Sequence, residues 1–222
     1  VILTAYGPKG SAKTFLLECL RKLIDPAKPL LLTLHKNVDQ FIQQVSHNYV
    51  NYYDNTRNIP LWLSDEICKA VTGAGHTKRE LYTNDNDVVY EYKRCIGLNG
   101  INESLTESDV LDRCLSIKLS YISGSSRRTE VILEKEFEKL RPQSLAFIFD
   151  ILSKSMKIKP TLSLQRLPRM ADFAVWGEAI SQALGYPPQS FMNAYDDNRN
   201  ELDILAVNES PVGSLIVKYI NS

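Results

Sequence analysis

Gly7-Pro8-Lys9-Gly10-Ser11-Ala12-Lys13-Thr14 is the stretch whose residue types and spacing most directly imply chemistry. Glycines and small side chains let successive backbone N–H groups turn toward one centre, and a following helix adds the positive end of its dipole. A phosphate fits such a centre. In the GxxxxGK[ST] pattern the lysine reaches the outer phosphates of a nucleotide and the hydroxyl faces Mg2+. Those roles fall here to Lys13 and Thr14. The glycine that usually precedes the lysine is replaced by Ala12, which resists a positive φ.

Other residues would complete such a site. The apolar run 49–53 closes on Asp54, 40 residues beyond Thr14. A carboxylate there could hold Mg2+ directly or through water, or could cap the following turn. Asn55 comes next, and an amide cannot take a proton from water. The general base is therefore open, with Asp65 and Glu66 as weak substitutes. Asn99 closes a second apolar run, 45 residues after Asp54. At the C-terminal edge of a parallel sheet it could orient an attacking water, or simply form an Asn-Gly turn with Gly100. Arg113 follows the acidic stretch Glu107, Asp109 and Asp112. It could stabilise phosphoryl charge on a nucleotide held by a neighbouring chain, or pair with Asp109 or Asp112 at the surface. Arg169, just after Pro168, could reach the γ-phosphate, and Arg166 competes for that role.

These residues need strand ends and helix starts to hold them. Apolar patterning predicts strands at 1–6, 30–34, 49–54, 94–99 and 114–122, and helices at 13–24, 38–46, 60–71 and 107–112. A hairpin is expected at 78–93 around Asn84-Asp85-Asn86-Asp87. Alternation of this kind implies an α/β fold, a parallel five-stranded sheet with helices on both faces, over 1–124. Beyond it the pattern is helical only, at 129–140, 144–156, 169–184 and 188–207, giving a helical lid over 125–207. Residues 208–222 could begin a further helical unit.

Composition narrows the class. The 222 residues carry 26 basic and 26 acidic side chains, with 44% hydrophobic and 23% charged residues. That excludes a disordered chain, a collagen-like repeat and a disulfide scaffold. No apolar run approaches the roughly 20 residues of a membrane span. Cys19, Cys68, Cys95 and Cys114 are far apart, as reduced cytoplasmic thiols would be. Zero net charge argues against coating nucleic acid by bulk electrostatics, so any such contact must be local. Residues 1–122 hold 14 charges of each sign and the remainder 12 of each, so charge marks no boundary. The chain opens on a core strand without lead-in, as an excised module or a chain with an upstream part would. His35, His47 and His76 lack metal-site spacing with any cysteine. Tyr49, Tyr52 and Tyr53 read as sheet packing, and Trp62 and Trp176 as core or lid anchors.

In this order, the residues resemble an AAA+ P-loop ATPase over about 1–207. More narrowly, TGAGHTKRELYTNDNDVVYEYKRCIGLNGI and LPRMADFAVWG resemble the ATPase module of primase-associated, superfamily-three-like helicases of phages, plasmids and integrated elements. The resemblance implies ATP and Mg2+, self-association into a ring, a hexamer by preference, and ATP-driven DNA unwinding or translocation. It also places the hairpin in a central pore. Lys78, Arg79, Lys93 and Arg94 flank that hairpin and could meet DNA phosphates, although Asp85 and Asp87 at its tip would repel them. Ala12, Asn55 and the acidic tip favour a different function, a slow nucleotide-dependent switch acting through protein partners. A degenerate structural ATPase fold is a third reading.

Overall fold

The N-terminal apolar run folds as β1 (Ile2–Tyr6), and a strand with so few polar residues must be covered on both faces. In the computed structural model Ile2 and Ala5 are fully buried. The structure describes residues 1–56, 59–79, 87–100 and 107–209, together with 215 and 219. From β1 the chain runs through α1 (Lys13–Ile24) and α2 (Val38–His47) to β2 (Val50–Tyr53), then α3 (Leu61–Thr72). A hairpin of β3 (Ala74–Arg79) and β4 (Asp87–Tyr92) precedes β5 (Cys95–Gly100), α4 (Ser108–Leu111) and β6 (Cys114–Lys118).

The main sheet has the order β2-β5-β1-β6, and every pairing in it is parallel. Right-handed crossovers then dictate where the helices go. The step from β1 to β2 moves one way across the sheet and the step from β2 to β5 moves back, so α1 and α3 cover opposite faces. Leu17 of α1, Phe41, Ile42 and Val45 of α2, and Leu63 and Ile67 of α3 are buried beneath them.

Arg21 locks the first of these helices to the sheet. It is 2% exposed and donates to the Asp25 carboxylate, the Asn48 side chain and the Val50 carbonyl. Asp25 in turn accepts the N–H groups of Tyr49 and Val50 at 3.1 and 2.9 Å. α1 and the start of β2 therefore form one hydrogen-bonded unit.

Three expectations for the first half of the chain are corrected. The sheet has four strands rather than five, because 30–34 contributes a single parallel bridge between Leu32 and Tyr53. Pro29 precedes that segment without an N–H to donate. Asn37 caps α2 a few residues later by accepting the N–H groups of Asp39 and Gln40, so the chain must leave the sheet edge at once. β6 ends at Lys118 rather than 122, because its partner β1 ends at Tyr6, which pairs with Lys118. The hairpin begins at Ala74 rather than 78, since Gly73, at φ 102°, turns the end of α3 straight into a strand. Its expected strand and turn residues at 80–86 lie outside the described residues.

The contacts divide the chain into units of Val1–Tyr121 and Ile122–Ser222. In the second unit, α5 (Glu130–Ile158) is one helix of 29 residues through Pro142, where two helices are expected. A proline inside a helix costs about 3 kcal/mol. The surrounding Glu, Lys, Leu and Ala residues are strong helix formers, which carry the helix past it. α6 (Ala171–Ala183) and α7 (Ser190–Glu209) follow. Between them Phe191 and Tyr195 stack, and Phe173 meets both rings edge-on. Gly177 makes room, since a Cβ there would lie 2.2 Å from the Phe191 ring. The buried Glu178 accepts the Gln189 N–H at 2.7 Å, placing a carboxylate at the positive end of α7. The helical unit expected at 208–222 falls largely outside the described residues. Among the described residues, no helix is long and apolar enough to cross a membrane.

Candidate functional site

Residues 7–14 connect the C-terminal end of β1 to the first turn of α1. Gly7 passes so close to the chain beyond β6 that a Cβ would lie 2.2 Å from the Leu119 carbonyl oxygen. Gly10, at φ 81°, makes the next reversal. Ala12 is left-handed at φ 60° and ψ 27°, the conformation that glycine would take without strain. α1 then starts with no side-chain cap and no acidic residue in its first turn. Its leading N–H groups, and the positive end of its dipole, are left for an anion.

Lys13 folds over this loop. Its ammonium donates to the carbonyls of Gly7 and Pro8 at 2.8 and 2.9 Å and to Ser11 Oγ at 3.2 Å. Ser11 Oγ itself donates to the Pro8 carbonyl. The lysine charge is thus centred over the concave side of the loop, where an anion would meet it.

The ends of β2 and β5 complete the arrangement. Thr14 Oγ1 donates to Asp54 Oδ1 at 3.3 Å, across 40 residues of sequence. A hydroxyl and a carboxylate in contact at a partly open rim are hard oxygen donors of the kind Mg2+ takes, with phosphate oxygens and water supplying the remainder. Asn55, at φ 55°, presents its N–H to both Asp54 Oδ1 and Asn99 Oδ1, at 2.9 and 2.8 Å. Asn99 is 2% exposed, and its Nδ2 has no partner among the described residues. The Asn55 side chain is exposed and supplies no base. Asp65 is exposed, while Glu66 is engaged by Lys69 at 2.7 Å. Arg113 is turned toward its own chain, bonded to the carbonyl and, at 2.8 Å, the carboxylate of Asp109.

Residues 2–204 match the family model of the actinomycete integrative conjugative element replication protein. The chain belongs to that replication-protein family. No curated protein matches the sequence. Among solved structures, a crystal structure of JCV helicase with a bound thiazolopyridine acetamide is similar at 12% identity and a TM-score of 0.41. The alignment covers 84% of this chain and 56% of that one, so the chain spans little more than half of the helicase's length.

The remaining expected residues of this replication protein fall elsewhere. Lys78 and Arg79 lie on β3, opposite Val88 and Asp87 of β4. Lys93 is exposed at the opposite end of the hairpin, just past Tyr92, which pairs with Ala74. Arg94 instead donates to the carbonyls of Val45 and Ser46 at 2.8 and 3.2 Å, closing the C-terminal turn of α2. Arg166 and Arg169 are exposed residues of the second unit, ahead of α6. Tyr52 and Tyr53 are buried in the sheet. Burial pushes the Tyr52 phenol up to about 12, with a further contribution from Cys95. Tyr52 needs Gly97 opposite it, where a Cβ would sit 2.1 Å from the ring. Trp62 lines a cleft of about 480 Å³ together with Thr33, His35, Lys36, Asp54 and Thr56. Trp176 carries Lys159 over its ring at 4.3 Å. Sequence reasoning passed over Thr56, which bonds to the end of β5. Its only signal was a hydroxyl two residues after Asp54.

Proposed function

We propose that this chain is an ATP-binding and hydrolysing module of the AAA+ type, the motor of a DNA helicase or translocase in the replication of a mobile element. The observation that carries this reading is the Thr14 hydroxyl on the Asp54 carboxylate, beside a loop whose lysine covers an uncapped helix start. Membership of a replication-protein family gives the activity its setting. The backbone of 7–12 would cradle the β-phosphate, and Lys13 would exchange its loop carbonyls for β- and γ-oxygens. Thr14 and Asp54 would hold Mg2+, which neutralises phosphate charge. Asn99 would direct a donor toward the γ-phosphate or the attacking water. Arg113 would act on a neighbouring subunit's nucleotide in a ring, after leaving Asp109. Opening that pair means breaking the bonds of a mostly buried guanidinium to both the carboxylate and the carbonyl of Asp109. Arg169 would answer the γ-phosphate from the helical lid.

A second reading, a slow nucleotide-dependent switch working through protein partners, is favoured by Arg113 pairing within its own chain and by the amide at Asn55. ATP hydrolysis with and without single-stranded DNA separates the two. Lys13→Ala and Arg113→Ala proteins run alongside. A motor gives turnover that rises with DNA and falls in both variants, by on the order of a thousandfold for a trans-acting arginine. ATP binding with negligible, DNA-indifferent turnover leaves the switch.

A further inference from the structure

Three hydrogen bonds hold Asn99 to the turn that follows β2. The Asn55 N–H donates to Asn99 Oδ1 at 2.8 Å. The Thr56 N–H donates to the Asn99 carbonyl at 2.8 Å, and the Thr56 hydroxyl donates to the same carbonyl at 2.7 Å. Thr56 and Asn99 are 3% and 2% exposed, so water does not compete for these bonds.

A carboxamide can sit either way round, its oxygen accepting and its nitrogen donating. The Asn55 N–H requires an acceptor, which puts Oδ1 toward the turn and turns the Nδ2 donor away from it. Nδ2 is buried and has no partner among the described residues, which leaves its donor capacity for a group that enters the site. The same Asn55 N–H also touches Asp54 Oδ1. One donor therefore ties the metal-side carboxylate to the amide.

We propose that Thr56 is a positioning residue for this site: by clamping the Asn99 carbonyl from both its N–H and its hydroxyl, it fixes the Asn99 carboxamide with Nδ2 presented to a phosphate oxygen or an adjacent water. This rests on the ATPase reading above. Thr56 acts through Asn99. Its hydroxyl is the working part, so serine should serve and valine, of nearly the same shape, should not.

The test uses the full chain as wild type, Thr56→Val and Thr56→Ser. ATP affinity, kcat and KM are measured, together with the Asn99 carboxamide signal in proton–nitrogen spectra, assigned by its loss in Asn99→Asp. The clamp predicts that T56V loses about tenfold in kcat with KM within about twofold of wild type, since a displaced donor harms the reacting geometry more than binding. It also predicts a T56V amide signal that is broadened with and without nucleotide, and a T56S protein close to wild type in every respect. Wild-type kcat and an unaltered signal in T56V would overturn it. Equal impairment of T56V and T56S would do the same, because the methyl packing would then matter. So would a loss of kcat that only follows a loss of folded protein by circular dichroism. If wild type neither binds nor hydrolyses ATP, the ATPase reading falls, and the T56V amide signal still decides whether the clamp exists.

Discussion

Ala12 stands where the phosphate loop turns left-handed, and an L side chain there costs roughly 1 kcal/mol or more. Replacing it with glycine removes the Cβ that causes the strain. The expected result for Ala12→Gly is a melting temperature raised by about 2–4 °C and tighter ATP binding, read by calorimetry on the same samples. A glycine variant that melts lower would mean that the added freedom of the unfolded chain outweighs the strain. The main residues of the proposed site could be read from sequence because the phosphate and magnesium chemistry proposed for it demands fixed types: an ammonium at Lys13, a hydroxyl at Thr14, a carboxylate at Asp54. Thr56 could not. Its partner is a main-chain carbonyl 43 residues away, and no residue type advertises that.

Among the elements, the junction of α1 with β2 carries a charge-dependent fastening. Burial alone would raise the Asp25 pKa, but the Val50 N–H and the Arg21 guanidinium outweigh it and hold the carboxyl below the usual carboxylate range. A folded-state pKa below the unfolded value stabilises the protein at every pH above the unfolded value, near 4. That contribution fades as pH falls through the lower, folded value. Asp25→Asn should therefore lose stability at neutral pH and show a shallower acid limb, measured by urea titration from neutral pH downward. An unchanged acid limb would place the fastening elsewhere. α1, α2 and α3 were legible because each carries a clear apolar stripe with a start or stop signal at its ends. The segment 30–34 misled because a continuous apolar run reads as a core strand, while its length of pairing depends on how soon the next helix must begin. Pro142 misled in the opposite sense: a proline marks where a helix is weakened, and neighbouring helix formers decide whether it stops.

For the molecule as a whole, equal numbers of acidic and basic side chains leave no general field to draw in a polyanion. Nucleic-acid binding would depend on a few cations along the hairpin, Lys78 and Arg79 at the end of β3 away from its base and Lys93 just past the end of β4. Arg94 is bonded to α2, which leaves Lys78, Arg79 and Lys93. Three phosphates neutralised on a single strand give a slope of about −2 for log K against log salt, per protomer engaged. Fluorescence anisotropy with labelled single-stranded DNA over a salt series measures it. A slope steeper than about −5 would require a basic surface formed elsewhere, and would end the hairpin reading.

The Arg94 side chain also has a mechanical meaning. It follows β4 almost directly, and its guanidinium grips the last turn of α2, which leads within three residues into β2 and on to Asp54. A hydrogen bond from an ionised donor is stronger than a neutral one. The base of the hairpin is therefore anchored rather than loose, and a pull on it would be felt first by α2 and only then, through the short link that follows, by the strand that ends at Asp54.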